Sequence, residues 1–157
     1  VTTYTNAHQI QLSGPFEREE YIAGGTITPG HLVETYNDAG VQKCRVNSGS
    51  GLHNARSFAV EDPLQPKSAT STQSRDIDDD YVVGELVSVN ICLPGARVQA
   101  WLKDGESVVI GDKLMSGADG TLVKQTTTLE CVAISEEVLD LSATANTTNA
   151  RISVRVI

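Results

Sequence analysis

From Glu20 onward, apolar and polar positions alternate in short runs separated by turn residues, which is the period of extended strands rather than of helices. The alternation is cleanest in three runs. Val87, Val89 and Ile91 share one face, as do Val98, Ala100 and Leu102, and as do Ile152, Val154 and Val156. The pattern predicts strands over 21–22, 32–36, 41–46, 57–61, 86–91, 97–102, 107–110, 121–124, 130–135 and 151–157. No stretch of this region combines helical periodicity with helical length. Three corners repeat one phrase: Pro29-Gly30-His31-Leu32-Val33, Val83-Gly84-Glu85-Leu86-Val87 and Ile110-Gly111-Asp112-Lys113-Leu114. Each is a glycine, a polar residue, then an aliphatic run, and glycine suits the tight corner before a strand. Asn37-Asp38-Ala39-Gly40, Pro94-Gly95, Asp104-Gly105 and Asp119-Gly120 add further turns, the last two expected as two-residue hairpin corners. The expectation is an all-β chain folded as a compact barrel or sandwich, with the choice between them open.

The first residues read differently. Thr2, Thr3, Tyr4, Thr5, Asn6, Gln9 and Gln11 make a polar, β-compatible stretch that ends at Ser13-Gly14-Pro15. In an extended segment Tyr4, His8, Ile10 and Leu12 share a face. Residues 1–19 are therefore expected to form an extended N-terminal arm that orders on something else, and residues 20–157 a β-rich domain. Pro63 to Asp80 reads as a long surface loop, and Ser142 to Asn149 as a shorter one.

Composition narrows the function classes. The 157 residues carry a formal charge of −8 with Lys and Arg scattered singly, which argues against nucleic acid as a partner. No apolar run approaches the ~20 residues that span a bilayer, so no membrane partner is expected. Val1 is read as following a removed initiator Met, and synthesis in a cytoplasm is expected. Cys44, Cys92 and Cys131 are far apart and odd in number, without zinc-type or redox-type spacing, and read as small apolar strand residues.

Candidate chemistry is thin. Asp76, Asp78, Asp79 and Asp80 invite a calcium reading but lack the spaced ligands of such a loop, and read as a solvated charged surface. His8, His31 and His53 fall in separate segments, so neither a metal nor another cofactor is expected. No Ser sits in a nucleophile elbow and no Cys has a neighbouring His. Glu19-Glu20 and Glu136-Glu137 are adjacent on strands and point to opposite faces. Asp112-Lys113 has only a superficial likeness to a lipoyl-type hairpin tip. The chain is not expected to be an enzyme. Trp101, on the face opposite Val98, Ala100 and Leu102, is either a cover for the core or an interface anchor.

Several segments, taken in order, carry a resemblance. Tyr21-Ile22-Ala23-Gly24-Gly25-Thr26-Ile27-Thr28-Pro29-Gly30-His31-Leu32-Val33-Glu34 is similar to the opening of head decoration (cement) proteins of tailed bacteriophages. So are Phe58-Ala59-Val60-Glu61, Tyr81 to Val87, Val108 to Leu114 with Gly120 to Val123, and the closing Val132 to Glu137 and Arg151 to Val156. The resemblance covers roughly residues 20–157. It implies a non-enzymatic, β-tulip-like protein without cofactors, on the outer capsid surface of a virion. Its partners would be the major capsid protein and two further copies in a homotrimer. Within the arm, Tyr4, Ile10, Leu12 and Phe16 are the expected capsid-facing anchors, with Trp101 near a subunit or capsid interface. The alternatives are a β-sandwich module binding carbohydrate or a cell surface, and a domain of a tail or spike.

Overall fold

The computed structural model describes residues 9–49, 56–62, 76–126, 128, 130–143 and 148–157. A short strand, β1 (Gln11–Ser13), precedes two closed rings. The first is built from β2 (Phe16–Ala23), β3 (Leu32–Asp38), β4 (Val41–Val46), β5 (Ser57–Ala59) and β6 (Leu86–Cys92), in the order β2-β4-β3-β5-β6. Only the β2–β4 pair is parallel. The second begins with β7 (Arg97–Leu102). After the short β8 (Ser107–Val108) come β9 (Lys113–Ser116), β10 (Leu122–Lys124) and β11 (Ala133–Ser135), and after the short β12 (Leu139–Asp140) comes β13 (Ala150–Val156). Their order is β7-β10-β9-β11-β13, and β13 pairs back onto β7 to close the ring. Again only one pair, β7–β10, is parallel. β1 adds to β7, and β8 with β12 forms a separate ribbon.

The two barrels are the same structure twice, in register. Ala23 pairs with Cys44 as Leu102 pairs with Leu122, and Thr35 with Cys44 as Ser116 with Leu122. Val33 pairs with Ser57 as Leu114 with Ala133, and Phe58 with Asn90 as Ile134 with Arg155. The ring then returns consistently, because Ile22 faces Leu86 as Trp101 faces Arg151. Bonds outside the ladders repeat as well. Gly30 N–H donates to Ala59 O at 2.7 Å and Gly111 N–H to Ser135 O at 2.9 Å. Asn47 N–H donates to Leu32 O, and Gln125 N–H to Lys113 O, both at 2.8 Å. In sequence the duplication survives mainly as Gly30 against Gly111 and Val87-Ser88-Val89 against Ile152-Ser153-Val154.

The recurring corner has a physical cause. In residues 28–31, 82–85 and 109–112 the fourth N–H donates to the first carbonyl, at 3.0, 3.1 and 3.1 Å. The glycine at the third position has φ of +97°, +90° and +93°, the geometry of a type II turn. The polar residue after it accepts a bond from the first N–H of its own turn. Thr28 N–H donates to His31 Nδ1 (3.1 Å), Val82 N–H to Glu85 Oε2 (2.9 Å) and Val109 N–H to Asp112 Oδ2 (2.9 Å). Glycine sets the reversal and the polar side chain satisfies a backbone donor that the turn leaves over.

The core explains the alternation. Inside the first barrel lie Ala23, Ile27, Val33, Cys44, Ala59, Tyr81, Val87 and Val89. Their strand neighbours Leu32 and Phe58 point the other way, and both are fully buried in the cluster that fills the second barrel. Burying each side chain of this size contributes about 1.5–3 kcal/mol.

The all-β fold is present, as two barrels rather than a sandwich. β12 is a strand where none is expected, β9 follows the third corner but lies outside the expected spans, and β2 runs from Phe16 instead of Tyr21. Asn37-Asp38-Ala39-Gly40 is the two-residue hairpin, with Ala39 and Gly40 both at positive φ. Asp119-Gly120 sits in a longer hairpin loop between β9 and β10, and Asp104-Gly105 turns the chain between strands that do not pair with each other. Most of the loop expected over Pro63 to Asp80, residues 63–75, lies outside the described residues, as do 144–147 of the shorter one.

Replacing the two equivalent corner glycines separates turn geometry from packing. A Cβ on Gly111 would meet nothing within 4 Å, whereas one on Gly30 would lie 2.9 Å from Gln99 O. Gly111→Ala is expected to lose about 1–2 kcal/mol for the left-handed backbone alone. Gly30→Ala should lose a further ~1–3 kcal/mol for the clash, read from urea midpoints at unchanged slope. Equal losses would mean that the two corners are packed alike.

Candidate interface surfaces

The chain entering the first barrel is stitched into the body. Ile10 N–H donates to the Glu61 carboxylate at 3.0 and 3.2 Å, and Ile10 O accepts from Gln99 N–H at 2.8 Å. The Ile10 side chain is fully buried with Val60 and Ile77. Gln11 Oε1 accepts from Asn90 Nδ2 at 3.1 Å, so β1, paired to the second barrel, also touches the first. Phe16 through Ile22 then pair with Cys92 through Leu86 along all of β6. The arm expected over residues 1–19 is thus part of the body from Ile10 on, because its backbone finds partners in both barrels. Ile10 is a core residue and cannot face a capsid. Leu12 is half-buried in β1. Phe16 is 44% exposed at the start of β2, the one exposed aromatic residue among those described. Tyr4 and His8 lie outside the described residues.

Trp101 is an interface residue between the two barrels of one chain. Its indole Nε1–H donates to Pro29 O at 2.9 Å, and its backbone N–H to Gly30 O at 3.3 Å. The Arg151 guanidinium stacks over the indole ring at 4.3 Å, a cation–π contact. Arg151 also donates to Pro29 O from Nη2 (3.1 Å), to Ile77 O, and to Asp78 Oδ1 from Nη1 (2.7 Å). The acidic run therefore has a structural use at this junction. Asp78 holds Arg151, and Asp80 Oδ1 accepts from Thr28 Oγ1 at 2.6 Å. A second link comes from the hairpin loop of the second barrel. Leu32 N–H donates to Gly120 O at 2.8 Å, and Ser116 Oγ donates to Asn47 Oδ1 at 2.6 Å, in buried surroundings.

The titratable groups read as structural. Burial pushes the thiols of Cys44 and Cys92 up to about 11 and about 12. Burial also raises the Glu136 carboxyl, but bonds and charges from Arg97 and Arg155 outweigh it and hold the group below its ordinary value. Glu136, Arg97 and Arg155 line an open cavity of about 370 Å³ together with Ile110 and Ile134. Among the described residues no group of three His, Cys, Asp or Glu side chains could hold a metal ion.

No family model matches the chain, and no curated protein matches it. Among solved structures it is similar to the head fiber gp8.5 N base of bacteriophage phi29, with a TM-score of 0.58 and 12% identity. The match covers 91% of this chain and 95% of that one. The chain shares that protein's fold. The likeness spans both barrels, and it is one of fold, since so few residues are shared.

His31 is expected to make the junction sensitive to pH. Burial lowers its pKa to about 4, against the opposing pull of Asp80 and Asp119, and its Nδ1 must stay unprotonated to accept from Thr28. Neutral in the fold and ordinary when unfolded, His31 contributes stability that is complete above pH ~6.5 and lost as the pH falls toward 4. The loss is expected to reach roughly 3 kcal/mol. His31→Asn keeps an acceptor without titrating there, and should flatten this step in urea denaturation measured between pH 7 and 4.5. An unchanged step would place the titration elsewhere.

Proposed function

We propose that this protein is a structural component of a bacteriophage head, carried on the outer capsid surface as a decoration protein. On this reading it binds the major capsid protein, bridges neighbouring capsid subunits as a homotrimer and stabilises the shell. The observation that carries the proposal is the fold shared, over nearly all of both chains, with a phage head fibre base. The ordered resemblance of residues 20–157 to decoration proteins supports the finer assignment. The acidic balance, −8 overall, suits a soluble partner of protein surfaces and disfavours contact with the packaged genome.

The work is mechanical. A shell under internal pressure fails where neighbouring subunits separate, and a rigid body bound across that boundary must be detached before they part. Two closed barrels joined by a buried junction supply such a body. The proposed contacts are Tyr4 within residues 1–8, and Phe16, exposed where β2 begins. Three linked copies raise the effective concentration of each weak contact.

Heads lacking the protein, mixed with purified protein and sedimented, should take it up and become more resistant to heat. Removing residues 1–8, with folding checked by the melting curve, should weaken uptake at least about tenfold, or 1.4 kcal/mol. Phe16→Ala should weaken uptake by about 1.5–3 kcal/mol with little loss of stability. Full-length protein that ignores such heads would overturn the proposal. Full uptake by both variants would remove these residues from the contact.

A further inference from the structure

The duplication singles out a surface that is covered in one barrel and open in the other. In the first barrel the corner 28–31 is the plug. Pro29 and Gly30 are buried, and their carbonyls meet Trp101 and Arg151 of β7 and β13. Behind it Leu32 and Phe58 are fully buried. The equivalent corner of the second barrel is 109–112, and among the described residues nothing covers its tip. Val109 is 52% and Ile110 68% exposed. Behind that corner Ile134, the counterpart of Phe58, borders the open cavity, and Lys113, the counterpart of Leu32, is exposed.

The seat is repeated too. Trp101 and Arg151, which face each other across β7 and β13, correspond to Ile22 and Leu86 across β2 and β6. Leu86 is 46% exposed, and the adjoining turn presents Val82 and Val83. Nine large apolar residues are exposed among the described ones. Three, Val82, Val83 and Leu86, are at this seat. Three more are at the second corner: Val109, Ile110 and Val138, the last beside the Leu139–Val108 pair. Exposed apolar side chains gathered into patches mark contact surfaces, whereas single ones do not.

We propose that a second copy of this chain fills the vacant place: the 109–112 corner of one molecule seats on the Ile22–Leu86 surface of the next, as 28–31 seats on Trp101 and Arg151 within each chain. Plug and seat are different surfaces, so the contact is head-to-tail. It closes into a ring if the rotation allows, the trimer included, and otherwise runs on as a fibre. The inference stands on the duplication and does not require capsid binding.

The test uses the full chain in sedimentation equilibrium with two variants, Ile110→Glu and Leu86→Glu, each at an exposed position and checked for an unchanged melting curve. Wild type is expected to associate at about 100 μM, well above a micromolar Kd. Each variant alone should be monomeric. Mixed in equal amounts they should form dimers and nothing larger, because Leu86→Glu keeps its plug and Ile110→Glu keeps its seat. A monomeric wild type overturns the proposal, as does a variant that keeps the wild-type mass. A mixture that stays monomeric overturns it as well, since it means the two patches do not meet.

Discussion

The carbonyl of Pro29 ties the two barrels to each other. Closed barrels leave little free edge, and the stretch of β7 that β10 does not pair is taken by β1. The barrels themselves meet through turns and side chains, and here the turn 28–31 offers its backbone to the indole of Trp101 and the guanidinium of Arg151. Buried carbonyls need such partners, and charged donors make strong ones. The geometry follows from the turn. A type II corner presents its central peptide outward, proline favours its second position and glycine its third. Arg151 then ties the same point to Ile77 and Asp78, which brings the acidic run onto the junction.

With the junction fixed, the divergence of the two halves becomes intelligible. Equivalent positions hold Leu32 and Lys113, Phe58 and Ile134, or Ile22 and Trp101, according to whether that face meets the other barrel or solvent. Inward positions diverge less, as Val87 with Ile152 and Val89 with Val154 illustrate. The shared Ser88 and Ser153 each accept, through the backbone carbonyl, from the residue after the preceding paired strand, Val60 or Glu136. What both copies retain is what the barrel itself requires: the corner glycine, the polar cap after it and the alternating strand.

That division also explains what could be read in the sequence. β7 and β13 were legible because apolar and polar residues alternate along each, and β6 because Val87, Val89 and Ile91 alternate with Ser88 and Asn90, although those two are buried as well. Corner glycines were legible because few other residues adopt their backbone angles. The first half of β2, Phe16-Glu17-Arg18-Glu19-Glu20, carries no such pattern, since all five residues are exposed and the strand is held by its backbone pairing to β6. β9 hides because three of its four side chains are buried, so polar and apolar residues do not alternate. The duplication hides for the reason given above, with only the glycine corner and one Val/Ile-Ser-Val run marking it. Ile10 was misplaced because an apolar residue in a polar stretch looks the same whether its partner is another protein or its own barrel. Trp101 lies at the junction of the two barrels of one chain, a place that an indole on the outer face of a strand does not distinguish from a contact with another molecule.

A structural role on a phage head would use this architecture without asking chemistry of it. On the proposed role, the most direct measurement is a near-atomic reconstruction of an intact virion whose genome encodes this chain. Two five-stranded barrels per copy should lie outside the shell, with Phe16 and the chain leading into β1 turned toward the capsid subunits. Barrel density found only in the tail, or inside the shell, would contradict the assignment.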